Sequence, residues 1–272
     1  LWSLPTVRAI SRHFSTPVDF AMAPKYASEG LLRLIDEQEY IANAFAPESW
    51  VITDEQHHII PREPEVAGYA KVFHLGYKGW PSCELAQFVY IQAAIDYRDL
   101  VTLPHDLDMS PWLKLTTIPA IDSDYRLIFV GWNQEWLELK MGLIVALSKS
   151  LDKHHVVFGI PYGKGMRHEE WSYLNRLESW VEMRHTDLRS AAEMLAGSHF
   201  YLGDLSAQWV LANAMGKPCI VMEPSEARWN PIFWWDGAGR NRMVLGGDGK
   251  PTFDARHVRD AVIEELKKCG LE

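Results

Sequence analysis

Apolar residues follow two arrangements along the chain. Short unbroken runs such as RLIFVGW, HHVVFGIP, HFYLGD and PCIVME have strand length. Longer stretches between them repeat at helical spacing. EWLELKMGLIVALSKSL sets Trp136, Leu139, Leu143, Leu147 and Leu151 on one helical face. From residue 126 onward the two types alternate. Helices are expected over about 135–151, 167–178, 187–198 and 206–215, with strands at WVEMRH and RMVLG completing the set. A last helix is capped by Asp254, carries the stripe Val258, Ala261, Val262 and Leu266, and ends at Gly270. Asp187 or Thr186 caps the helix after WVEMRH. Continuous apolar strands alternating with helices mean a parallel sheet covered on both faces.

The first half alternates more loosely. Ser3 caps a helix over about 4–14, with Pro5 in its first turn and Val7, Ile10 and Phe14 on one face. A strand follows at 18–24, a helix at 26–36 and a strand at 39–45. Residues 47–66 are Pro-rich and acidic and read as a loop. KVFHLGY reads as a strand and CELAQFVYIQAAI as a helix with Leu85, Val89 and Ala93 in line. Residues 100–124 hold three prolines and several aspartates and read as a linker. The expected architecture is α/β, with two Rossmann-like domains, 1–118 and 119–272, whose parallel sheets face each other across a cleft. Ligands of such sheets bind outside the carboxyl ends of the strands. The chain opens on a helix without a Met, so a first strand and its turn are expected to precede Leu1.

Composition narrows the function. The chain has 272 residues, 47% hydrophobic and 23% charged, with a net charge of -9. That charge argues against a general nucleic-acid binder. No apolar run is long enough for an integral membrane span. Cys83, Cys219 and Cys269 form no CxxC and no disulfide framework, which suits a reducing, cytoplasmic setting.

One junction carries candidate chemistry. In LGDLSAQWVLANAMGKPCIVMEP a strand turns into a helix at Gly203, Asp204 and Ser206. Gly203 frees the turn of a Cβ. The Ser206 hydroxyl and the N–H groups of Ala207 and Gln208 form an anion site strengthened by the helix dipole. Asp204 repels phosphate unless it turns away. Glu223, at the end of the next strand, can accept hydrogen bonds from a ribose. Two readings stay open here: a phosphate cradle, or a helix cap alone.

The stretch resembles the second half of GT-B glycosyltransferases, most nearly family 9, the ADP-heptose:lipopolysaccharide heptosyltransferase-like proteins. LWSLPTVRAI is similar to that family's first helix. The resemblance implies a sugar transferase, inverting and metal-independent, with a nucleotide-sugar donor in the second half and a glycan or lipid-linked acceptor in the first. It implies no cofactor beyond that substrate, and a cytoplasmic, membrane-peripheral location. It places the catalytic carboxylate upstream of Leu1. Two departures stand out. Val210 occupies the position of a family His, and GWNQEW offers Asn133 where the family has a Lys near the donor phosphates. The alternative is a non-catalytic nucleotide-sugar or glycan-binding protein with the same fold.

Other patterns carry less. Arg228, in EARWNP, is placed beside the donor. Tyr77 and Lys78, in HLGYKGWP, are placed on the acceptor side. Gly163 and Gly165 half-match a dinucleotide fingerprint but lack its third glycine, so an NAD-linked oxidoreductase is a third, weaker reading. The DLD at 106–108 and DSD at 122–124 fall in the linker and read as solvated loops. The adjacent pairs His57–His58 and His154–His155 point to opposite strand faces, so no metal is assigned.

Overall fold

A computed structural model describes residues 1, 3–48, 51–52, 59–60, 68–73, 75, 107–116, 126–130, 147, 154–158, 180–182, 187–223 and 239–271. The chain divides into two compact units. The first is Leu1–Lys114 with Asn230–Trp235, and the second Leu115–Trp229 with Asp236–Glu272.

In the first unit, α1 spans Leu4–Phe14 and leads to β1, Val18–Ala21. Pro5 lies in the first turn of α1 as expected. Ser3 holds the N-cap position without a side-chain cap bond, because its own backbone is already helical. Val7 and Ile10 are buried, whereas Phe14 is 39% exposed. A short 3-10 turn at Pro24–Tyr26 precedes α2, Glu29–Asp36, whose N-cap Ser28 accepts from Leu31 N. Then comes β2, Ile41–Phe45, paired in parallel with β1. The acidic stretch at 47–66 is more than a loop: β3, Val51–Ile52, and β4, Ile59–Ile60, pair antiparallel.

Two expectations fail here. In KVFHLGY, residues 71–73 and 75 have no strand structure. Phe73 and Leu75 pack instead against Ile10, so their apolar character serves that contact rather than a sheet. The linker also fails as a free connection at 107–114. Trp112 and Leu113 are buried in the first unit. Arg8 reaches across to bind this strap, donating from Nη1 to Pro111 O at 2.9 Å and from Nη2 to Ser110 O at 3.1 Å and to Asp108 O. Gln38 holds the next segment from both sides: Nε2 donates to Lys114 O and Oε1 accepts from Lys114 N. Asp108, read as part of a solvated DLD, accepts from Arg12 Nη1 at 2.7 Å and lies 3.2 Å from Arg8.

The second unit is built on a six-stranded sheet. Its strands are β5, Arg126–Val130; β6, His154–Phe158; β7, Trp180–Glu182; β8, Phe200–Gly203; β9, Cys219–Val221; and β10, Asn241–Met243. Every pairing is parallel, in the order β10-β9-β8-β5-β6-β7. Numbered within the unit, that is 3-2-1-4-5-6 read from the β7 edge, the doubly wound order. Helix α3, Leu188–Gly197, has Asp187 as its N-cap, accepting from Ser190 N at 2.8 Å. Helix α4 spans Ala207–Ala214 and α5 Ala255–Lys268. Asp254 caps α5 through the N–H groups of Arg256 and His257, and Gly270 ends it with φ of 70°.

Alternation along the strands sorts the core. Ile128, Val130, Phe200, Leu202, Ile220 and Met222 join Val258, Ala261, Val262 and Leu266 of α5 and the helical residue Leu147 in one buried cluster. Phe129 and Tyr201 take the opposite face, their rings stacked with centroids 6.2 Å apart. Lys217 closes the end of α3, donating to Ala196 O and Ser198 O at 2.7 Å each, and its burial lowers its pKa. Of the helix read at 135–151 only Leu147 is described; the helices read at 83–95 and 167–178 lie outside the described residues.

The Arg8 strap makes two testable statements. Arg8→Met removes a buried charged donor from three strap carbonyls and should destabilise the protein by about 3 kcal/mol in urea unfolding. Asp108 provides the pH arm. Partial burial pulls its carboxyl upward, but hydrogen bonds from Ser110 and Arg12 and the charge of Arg8 prevail and hold it well below the usual carboxylate range. A depressed folded value stabilises above the unfolded pKa of about 4, and that contribution fades as pH falls below it. Asp108→Asn should flatten this part of the acid-side stability profile.

Candidate functional site at the β8–α4 junction

The strand order reverses between β5 and β8, since β6 and β7 run to one side and β9 and β10 to the other. Ligands of open α/β sheets bind at that switch point, outside the carboxyl ends of the strands. β8 ends at Gly203 and α4 begins at Ala207, so the candidate junction falls on the switch point. Asn133, Arg228, Tyr77 and Lys78 lie outside the described residues.

Gly203 is the last ladder residue of β8 and does not adopt a positive φ. The turn therefore does not call on glycine for a left-handed backbone. Asp204 is 2% exposed, so this carboxylate is turned into the protein rather than toward solvent. Its carbonyl accepts from Ser206 N at 2.9 Å and from the Tyr201 hydroxyl at 2.8 Å.

Ser206 sits at the N-cap of α4 with extended backbone, yet its side chain caps no N–H. The hydroxyl donates to Gln208 Oε1 at 2.8 Å and lies 3.1 Å from the Tyr201 hydroxyl. Gln208 and Tyr201 thus engage the hydroxyl that residue type alone places toward a ligand. No described residue accepts from the N–H groups of Ala207 or Gln208, which are the orphan donors of the first helical turn. Ala207 is exposed. These two N–H groups, with the helix dipole behind them, are where the junction can stabilise negative charge.

Glu223 reaches back across the sheet from the end of β9. Its Oε1 accepts from Leu205 N at 2.8 Å, in the middle of the turn. Three residues thus frame the junction: Glu223 on the turn's backbone, Tyr201 beneath it and Gln208 on Ser206. Tyr201 and the side chain of Gln208 are not marked out by the sequence. Tyr201 reads as one more apolar strand position, and Gln208 as a polar helix residue. Burial pushes the Tyr201 hydroxyl well above its ordinary pKa; the charge of Asp204 adds to this and the bond to Ser206 opposes it. It stays protonated and donates. Among the described residues no cluster of three or more His, Cys, Asp or Glu is placed to hold a metal ion, and no helix is long and apolar enough to cross a membrane.

The chain has an α/β, GT-B-like fold, of the type found in heptosyltransferases. No family model matches the sequence, and no curated protein matches it. The solved structures supply the likeness. E. coli heptosyltransferase WaaC with ADP superposes with a TM-score of 0.61 at 13% identity, over 97% of this chain and 96% of that one. E. coli heptosyltransferase WaaC with ADP-2-deoxy-2-fluoro heptose gives 0.55 at 13% identity, over 96% and 95%. A UDP-GlcNAc 2-epimerase from Neisseria meningitidis bound to UDP-GlcNAc gives 0.40 at 13% identity, over 55% of this chain. The match takes in only 38% of that epimerase, so this chain spans well under two thirds of its length.

The Tyr201 bridge is directly testable. Tyr201→Phe keeps the ring and removes one buried donor, leaving Asp204 O short of a partner. A loss of about 1–2 kcal/mol in denaturant unfolding is expected. An unchanged midpoint would mean that the hydroxyl contributes nothing to the junction.

Proposed function

We propose that the chain is a glycosyltransferase that holds a nucleotide-sugar at the β8–α4 junction and moves the sugar to a hydroxyl of a glycan or lipid-linked acceptor. One observation carries the proposal. The helix N-terminus with open N–H groups stands at the switch point of a doubly wound sheet, within a fold that extends over 97% of the chain onto a heptosyltransferase solved with ADP.

In this reading the donor diphosphate lies against the N–H groups of Ala207 and Gln208. Gly203, Asp204, Ser206 and Glu223 shape the turn beneath it. Asn133 and Arg228 flank the donor, and Tyr77 and Lys78 meet the acceptor. Transfer is a single displacement with inversion. The acceptor oxygen attacks the anomeric carbon, its proton passes to a carboxylate base, and the bond to the diphosphate breaks. The leaving diphosphate takes the electron pair, and the positive end of α4 stabilises the charge without a metal ion.

A second reading is binding without transfer. Two of the turn's donors, Leu205 N–H and the Ser206 hydroxyl, are already engaged inside the protein, which leaves a sparse set for a transition state.

Ala207→Glu decides between a ligand site and a plain helix start. Ala207 is exposed, and an acid in the first helical turn is compatible with the dipole, so the variant should fold with an unchanged or slightly raised Tm. The parent protein should be stabilised by one class among ADP-, UDP-, GDP- and CMP-linked sugars. The variant should lose that response, with affinity at least tenfold weaker. Sugar transfer by the parent selects the first reading over the second. No response of the parent to any of these compounds would overturn both.

A further inference from the structure

We infer that Glu223 is a positioning residue: its carboxylate fixes the turn between β8 and α4 by holding the Leu205 N–H, and so sets where the first N–H groups of α4 point. The inference rests on the proposed donor site for its functional half, while the clamp itself rests on geometry alone.

Glu223 follows Met222, whose N–H donates to Gly203 O at 2.8 Å and so extends the β8–β9 pairing to the last residue of β8. One residue further, no ladder bond is left to guide β8. The chain must leave the sheet and enter α4 within Asp204, Leu205 and Ser206. Of these, Asp204 presents its carbonyl to Tyr201 and Ser206 N. Leu205 N has no carbonyl of a neighbouring strand to meet, and the Glu223 carboxylate supplies the acceptor at 2.8 Å. A hydrogen bond to a charged acceptor is the stronger kind, and it spans 18 residues of sequence, so it ties the turn to β9 rather than to itself.

The bond has a second effect. A carboxylate on the turn occupies a backbone donor that could otherwise receive an anion. Negative charge brought by a ligand is directed past Leu205 to Ala207 and Gln208. Glu223 thereby selects which donors of the junction face the ligand.

The experiment uses Glu223→Gln, which keeps a side-chain acceptor of the same length, and Glu223→Leu, which removes it. The first readout is amide hydrogen exchange at Leu205, followed by NMR. Leu205 should exchange slowly in the parent and in Glu223→Gln, and at least tenfold faster in Glu223→Leu. Amides of Ile220 and Val221 report that β9 is intact. The second readout is the affinity for whichever nucleotide-sugar stabilises the parent. Glu223→Gln should stay within about threefold of the parent, and Glu223→Leu should fall about tenfold. Equal losses in both variants would mean that the charge touches the ligand itself, and the positioning role would be wrong. Fast exchange at Leu205 in the parent would remove the clamp. If the parent binds no nucleotide-sugar, the exchange experiment still decides the clamp, and only the proposed function falls.

Discussion

A parallel strand buried on both faces has no solvent to fall back on, and β8 is such a strand. All its backbone groups must pair with β5 and β9, and its side chains must fill two separate cores. Phe200 and Leu202 go to the α5 side and Tyr201 to the other. Pairing runs from Tyr201 N, which donates to Pro218 O, to Gly203 O, which accepts from Met222 N. Beyond that point the chain has to become a helix immediately. Everything notable about the junction follows from this forced exit at the sheet's switch point. The first N–H groups of α4 find no acceptor among the described residues, and the turn between is held by side chains.

The protein meets other breaks in regular structure in the same way. A long polar side chain reaches from one element to the carbonyls of a segment that has no ladder of its own. Arg8 does this for the strap at 108–111, Gln38 for Lys114, Lys217 for the end of α3, and Tyr201 for Asp204. Each of these donors is buried or nearly so, where an unpaired carbonyl is costly. The charged ones carry a further burden, since desolvation opposes them. Burial lowers the pKa of Lys217.

The β8–α4 junction therefore combines two kinds of polar group. Some are consumed by the fold: the Leu205 N–H, the Ser206 hydroxyl and the Tyr201 hydroxyl. Others, at Ala207 and Gln208, are left by the geometry of a helix start. Glu223 and Ser206, singled out by residue type, both bond within the turn. The helix N-terminus they hold is the part that faces outward. The GT-B-like fold gives that position its meaning, because in such sheets it is the edge where ligands bind.

The sequence by itself determined the second unit's strands, the parallel character of its sheet, the caps at Asp187 and Asp254 and the stop at Gly270. Apolar period reports which faces are buried, and a cap acts within four residues, so both are written locally. It also pointed to the correct strand-to-helix junction. Tertiary structure alone decided the strand order that makes this junction a switch point. It also decided that Phe73 and Leu75 pack on Ile10 instead of joining a sheet, and that the segment at 107–114 is a strap bound by Arg8. The same holds for Glu223 on Leu205 and Tyr201 beneath Asp204. These depend on contacts that only the assembled sheet creates. A strand residue's identity tells which face it takes, and not which backbone group will stand opposite it.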